Sequence, residues 1–312
     1  MYLIKTTVLA FTVCLCLVGQ VLANTTIIIP FSVGGNGDLW ARQLASLSDK
    51  YDNTRTIIQN RPGAGGLVGY NAYMTLPADA TYLIGVGPGI MLFEPMRSKE
   101  LDPLKDLTII TPFLVSPEVM VINPKSSKVK TMKELFGSSN HRLSITIGVG
   151  GTAHEFFARW MQKYTAHELI IVPFKGSGDV KTALLGGHVD IMVDNLSLVS
   201  AHIGNGIEIM ALGSAPNDSR FNQHPLMHDW LDGFIFYNWT AMAVNSKVPK
   251  AQIQALRKKY SRHVFSKDFQ KQAHEQGMAV LSVLDETFET QIKKQAQQWR
   301  VINDQMKILQ PH

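Results

Sequence analysis

Two stretches begin like the zinc-binding helix of a metalloprotease: HEFFA from His154 and HELII from His167. Neither has the second histidine four residues later that would complete a metal grip from one helical face. No other pair of histidines has an obvious metal spacing. Thiolate ligands are missing too, because both cysteines, Cys14 and Cys16, fall within the first 23 residues. Ser177, in FKGSGD, is out of register for a nucleophile elbow, and no G-x-S-x-G occurs. There is no G-x-x-x-x-G-K-[ST], and RPGAGGLVG lacks the strand-to-helix spacing of a dinucleotide loop. The expectation is a chain with no catalytic residue, no metal and no cofactor.

A different chemistry is better supplied. Four loops place glycines where a strand gives way to a helix: FSVGGNGD from Phe31, NRPGAGGLVG from Asn60, GVGPG from Gly85 and GVGGTAHE from Gly148. Glycine lets a backbone N–H approach a ligand closely. A helix N-terminus offers free amides and the positive end of a dipole to an anion. Asp38 is placed to cap the helix that starts near LWAR, and Thr152 with Glu155 has capping-box spacing. The local reading of His154 is a residue of the first helical turn bonded to a neighbour, with donation to a ligand carboxylate as the alternative. Asp190 reads as a turn acid, and Asp194, at a strand end, as an acid turned toward a cleft.

The elements that must position these loops alternate along the chain. Apolar runs at TTIIIP, TRTIIQN, TYLIGVG, EVMVIN, LSITIGVG, ELIIVPF, DIMVDN, IEIMALGS and FYNWTAMAVN predict strands. Several are continuously apolar, which suggests parallel strands covered on both faces. Helical stripes follow: Trp40, Leu44 and Leu47; Phe157, Trp160, Met161 and Tyr164; Ile253, Leu256, Tyr260 and Val264 after Pro249; and Phe288, Ile292, Trp299, Ile302, Met306 and Leu309. This is an α/β pattern with open sheets. Two extended stretches, TPFLVSPEVMVINP and FIFYNWTAMAVNSKVP, could carry the chain between two lobes.

The 312 residues suffice for two compact units, and 45% hydrophobic with 18% charged residues is an ordinary globular composition. Residues 1–23 carry one basic residue, Lys5, an apolar core from Val8 to Val18 and a small residue at Ala23. They read as a signal peptide cleaved after Ala23. The apolar run is too short to span a bilayer comfortably, and no small residues precede the cysteines as a lipid anchor requires. Cleavage would remove Lys5, lowering the formal charge from +5 to +4, and would take both cysteines with it, leaving no thiol. Basic residues are scattered, which argues against nucleic acid as a partner.

Taken together, IIIPFSVGGNGDLWARQLA, IIQNRPGAGGLVGYNAY, GVGGTAHEFFARW and IIVPFKGSGDVKTALLGGHVDIMVDNLS resemble, in order and spacing, the extracytoplasmic solute-binding receptors of the tripartite tricarboxylate transporter family, the Bug receptors. The resemblance runs from about Thr26 to the C-terminal helices. It implies a two-lobed α/β binding protein, a Venus flytrap of type 2-like topology, with a central cleft that closes on a small organic acid or amino acid. It also implies delivery to integral membrane permease subunits, from a periplasmic location. The alternative is a receptor that reports its ligand to a two-component signalling kinase. The lobes would be residues 24–115 with 237–312, and 116–236. By position, the first lobe would supply Phe31, Ser32, Gly35, Asn36, Asp38, Ala64, Gly65 and Gly89. The second would supply Gly150, Gly151, Thr152 and His154, with Asp194 at the distal end of the ligand. Lys175 and Ser177 match the motif without an assigned role. Ser32-Val33 and Gly87-Pro88-Gly89 depart from the family pattern, so a tricarboxylate ligand is not implied.

Overall fold

The computed structural model describes residues 24–93, 101–111, 113–138, 141–216, 218–231, 237–281 and 286–308. The expected signal peptide and Leu309 lie outside them. In chain order the elements are β1 (Asn24–Ile29), α1 (Asn36–Asp52), β2 (Arg55–Asn60), a tight helical turn (Ala64–Gly66), α2 (Leu67–Met74), β3 (Tyr82–Val86), a wide helical turn (Gly89–Phe93), α3 (Pro103–Asp106), β4 (Leu107–Ile109) and β5 (Phe113–Ile122). Then come α4 (Met132–Phe136), β6 (Ser144–Val149), α5 (Thr152–Met161), β7 (Glu168–Pro173), α6 (Ser177–Leu185), β8 (Ile191–Asn195), α7 (Leu196–Val199) and β9 (Glu208–Leu212). The last are β10 (Tyr237–Asn245), α8 (Lys250–Val264), α9 (Lys267–Glu275), β11 (Ala279–Leu281) and α10 (Glu286–Met306). All nine apolar runs form strands. The short β4 and β11, three residues each, carry too little pattern to be anticipated.

The strands form one curled sheet in the order β2-β1-β3-β10-β5-β8-β6-β7, with β4 on β10 and β9 and β11 on β5. The expectation of parallel strands holds at both ends, where β1 pairs β2 and β3 and β6 pairs β7 and β8. The middle corrects it: β10 and β5 run antiparallel to their neighbours. These two long strands return the chain from one α/β half to the other without a helical crossover, and a direct return is antiparallel.

Strand β5 changes partners along its length. Leu114 to Pro117 pair with β10, while Glu118 to Ile122 pair with β8 and β9. The chain therefore passes from the first half of the sheet to the second between Pro117 and Glu118. Helices cover both faces. On α1, Trp40, Ala41, Leu44, Ala45 and Ser48 are buried at helical spacing, with Leu47 only partly so. On α8, Pro249 occupies the N-cap position and Ile253, Leu256, Tyr260 and Val264 are buried as anticipated. The C-terminal helix α10, expected with the first lobe, packs Trp299 on α5 of the second half. Its ring lies edge-on to Phe156 at 5.5 Å and to Phe157 and Trp160 at 5.7 Å each.

Candidate functional site

Three helix N-termini meet at the mouth between the halves. In the first half, β1 ends at Ile29, the chain turns through Pro30 to Gly35, and α1 begins at Asn36. Asp38 does not cap this helix. The N-cap position is Gly35, with no side-chain cap, and Asp38 lies in the first turn. There the buried carboxylate accepts from Gly34 N at 2.9 Å, from Arg42 Nε and Nη2 at 3.0 Å each, and from Asn60 Nδ2 at 3.0 Å. Burial pushes its pKa up, but these donors outweigh burial and hold it below the usual value. Asn60 also donates to Phe31 O at 3.0 Å. Asp38 is thus the hub that shapes the loop, while the start of α1 is left to other occupants.

In the second half, α5 begins at Thr152 with Gly151 at its N-cap, and α6 begins at Ser177 with Gly176 at its N-cap. Neither has a side-chain cap. The helix starts at Thr152, where the spacing of Thr152 and Glu155 put it. Glu155 also pairs along the helix with Arg159, with Nε at 2.9 Å and Nη2 at 2.8 Å. The two loops lie against each other: a Cβ on Gly150 would stand 2.5 Å from Ser177 N.

The halves also touch. A Cβ on Gly178 would come within 2.7 Å of Val33 O and 3.3 Å of Gly35 N, and one on Gly176 would overlap Ser32. Ser197 Oγ donates to Asn36 Oδ1 across the gap at 3.0 Å. Behind this rim lies a cavity of about 80 Å³. Gly35, Asn36 and Gly37 line it from α1, Gly150 to His154 from α5, and Ser177 from α6; β3, the Gly87–Gly89 turn and the start of β10 complete it. No lysine or arginine is among the described residues that line it. The donors that an anion inside would meet are therefore backbone amides at helix starts rather than cationic side chains.

Residues 40–308 match the family model described as the tripartite tricarboxylate transporter family receptor. The chain belongs to this receptor family. The receptor is 28% identical to protein BugT of Bordetella pertussis over 235 residues, covering 72% of this chain and 71% of BugT. Its fold is similar to that of the periplasmic binding protein BugD, with a TM-score of 0.82 and 20% identity over 92% of this chain and 98% of that one. A protein of R. palustris solved with adipate gives a TM-score of 0.83 and 21% identity, again over 92% and 98%. These likenesses establish the two-lobed binding-protein fold. The family is one of receptors rather than enzymes.

Among the residues singled out in the receptor's sequence, Phe31, Gly35, Asn36, Gly89, Gly150, Gly151, Thr152 and His154 line the cavity. Ser32, Asp38, Ala64, Gly65 and Asp194 do not. Ser32 faces Gly176 at the rim, and Ala64 is exposed. The NRPGAGG loop serves from behind: a Cβ on Gly66 would stand 3.1 Å from Phe31 and from Ile90. Gly69 lets α2 close on β1, since a Cβ there would lie 2.6 Å from Pro30 Cα. Asp194 is fully buried behind His154. Of the two residues without a role, Ser177 lines the cavity and Lys175 does not.

Sequence reasoning gave no role to Gly37, Asn195, Asn238, Trp239 and Thr240, all on the cavity wall. Asn195 adjoins the acid that was noticed. Asn238 to Thr240 lie in a stretch read as a strand and a crossover between lobes, with no ligand role. Glu118 was also missed, though a charge inside the apolar run VSPEVMVIN is itself a signal.

Proposed function

We propose that this receptor captures a small carboxylate between its lobes in the periplasm and hands it to the permease subunits of a tripartite transporter. The observation that carries the reading is the convergence of the uncapped starts of α1, α5 and α6 on one cavity closed by contacts between the halves. A carboxylate held there would accept from amides of both lobes at once, so it would bind the closed form better than the open one. Only such a difference can close a receptor on its ligand. In this reading Gly35, Asn36, Gly37, Gly150, Gly151, Thr152 and Ser177 form the two sides of a pincer, and Phe31 forms its apolar floor. Ser32, Asp38, Ala64 and Gly65 support the loops. The cavity of about 80 Å³ has room for about five to eight water-sized groups, which favours an acid of few carbons. The adipate bound by the R. palustris protein is consistent with carboxylate chemistry.

The lobes in this reading are residues 24–115 with 237–312, and 116–236, and the partner change at Pro117 to Glu118 supports the first boundary. Residues 1–23 would be the signal peptide that directs export.

The test is thermal stability of the chain without residues 1–23 against mono-, di- and tricarboxylates. An acid at 100 times its dissociation constant should add about 2.7 kcal/mol. If no organic acid shifts the transition and another solute class does, the carboxylate reading is wrong.

A further inference from the structure

The strand that links the two halves buries a charge next to the cavity. Glu118 of β5 is fully buried between Pro117 and the apolar residues Val119 to Ile122. Its Oε2 accepts from Asn238 Nδ2 at 3.2 Å, and its Oε1 lies 3.3 Å from His154 Nε2. On the neighbouring β8, Asp194 is also fully buried. Its Oδ1 accepts from Asn195 N at 2.8 Å and from Asn195 Nδ2 at 3.1 Å, and its Oδ2 lies 3.6 Å from His154 Nδ1. Both nitrogens of His154 are thus turned to buried carboxylates. Lys181 of α6 feels the Asp194 charge but does not line the cavity.

Neither carboxylate lines the cavity, whereas Asn195 and Asn238 do. A carboxylate, which Glu118 is above its burial-raised pKa of about 7, can only accept hydrogen bonds, while a planar amide has a donating end and an accepting end. An asparagine whose NH2 is turned to a carboxylate is fixed in orientation, with its carbonyl turned away from that acid and one N–H left over. Asn195 Oδ1 is buried and has no hydrogen-bond partner, a costly state unless something fills it. The cavity then has two unlike sides. Helix amides supply donors on one, and the unpartnered Asn195 carbonyl supplies an acceptor on the other, with Asn238 beside it on the wall.

We propose that Asn195 and Asn238 form an acceptor subsite, oriented by Asp194 and Glu118 as positioning residues, that selects a carboxylate bearing a hydroxyl or ammonium donor over the same acid without one. This rests on the reading of the cavity as a carboxylate site and narrows its ligand class. A plain acid leaves the Asn195 carbonyl unpaired, whereas a 2-hydroxy or 2-amino acid pairs it while its carboxylate stays on the helix ends.

Isothermal titration with acids that differ only in the donor tests this: propionate against lactate and against alanine, and succinate against malate. In each set that binds, the expected result is roughly tenfold to a hundredfold tighter binding of at least one donor-bearing acid. Whether lactate or alanine gains tells hydroxyl from ammonium. Equal binding within every set overturns the inference and leaves the carboxylate reading standing. No binding by any of the five acids overturns the inference, and no shift in melting temperature with any mono-, di- or tricarboxylate overturns the carboxylate reading as well. Glu118→Gln offers Asn238 a side chain that both donates and accepts, so its amide can turn. The preference should narrow toward one while propionate or succinate affinity moves less than about threefold. An unchanged preference in that variant refutes the positioning role. If Glu118→Gln does not fold, Asn195→Ala removes one acceptor outright and should narrow the same preference; an unchanged preference there overturns the subsite.

Discussion

Gly178 is the point where closure can be opposed without touching the cavity. It lies in the first turn of α6, and its backbone is not in the left-handed region, so alanine suits the position itself. The obstacle is across the gap: the new Cβ would stand 2.7 Å from Val33 O, 3.2 Å from Gly34 C and 3.3 Å from Gly35 N. All three are backbone atoms, in a loop tied down by the bond from Gly34 N to Asp38. Relief must come from the lobes moving apart. Overpacking of this kind costs about 1–3 kcal/mol, and here the cost falls on the closed form alone. Apparent affinity scales with the closed fraction, so Gly178→Ala should weaken ligand binding roughly fivefold to 150-fold. The same substitution improves a helix position by about 1 kcal/mol in open and closed forms alike. The ligand-free melting temperature should therefore hold or rise while affinity falls, a combination that general destabilisation cannot produce. Calorimetric titration with the tightest-binding carboxylate of the screen, paired with melting curves without ligand, reads both quantities. Wild-type affinity in Gly178→Ala would show that the rim contact is absent from the bound state.

Other perturbations probe the remaining parts. Burial, with the Asp194 charge adding and His154 and Asn238 opposing, pushes the Glu118 carboxyl from 4.5 up to about 7. An acid held above its unfolded pKa destabilises the fold progressively as pH rises from about 4.5 to about 7. Glu118→Gln should therefore gain stability relative to wild type across that window and level off above it. At about 1.4 kcal/mol per pH unit, the ceiling is about 3 kcal/mol; denaturant midpoints from pH 4 to 8 check it, and a flat difference refutes it. Asp38→Ala removes the acceptor for Gly34, Arg42 and Asn60, so affinity should drop together with a loss of about 1.5–3 kcal/mol in unfolding free energy. Ser197→Ala deletes the bond to Asn36 across the gap and should lower affinity by about 0.5–1.5 kcal/mol, seen in titration with little change in the ligand-free melting curve. Trp299→Ala vacates the ring cluster on α5 and should cost about 3–5 kcal/mol by chemical denaturation.

How much was legible depends on how local the signal is. The apolar runs became strands because their β-branched residues suit a pleated, buried surface wherever the partner lies. Helix α8 could be placed to within a residue because Pro249 marks its start. The caps were uneven guides: Thr152 marked the start of α5, but α1 begins at Asn36, earlier than a cap at Asp38 implies. Whether an acid caps a helix or bonds a loop depends on which amides the fold brings to it. For Asp38 the decisive partners include Asn60, twenty-two residues away.

By itself, the sequence determined the α/β alternation, the order of the glycine loops and the family, since each is written in residues close along the chain. The tertiary structure decided which of those loops face one another. Gly35 to Gly37 and Gly150 to His154 share a cavity only because β5 and β10 bring the two halves of the sheet edge to edge. The same strands carry Glu118 and Asn238 to the cavity's far side, where their 3.2 Å bond spans 120 residues. No local spacing encodes such a pair, because the chain entropy lost in bringing distant residues together is repaid by the whole packed sheet and not by the pair alone.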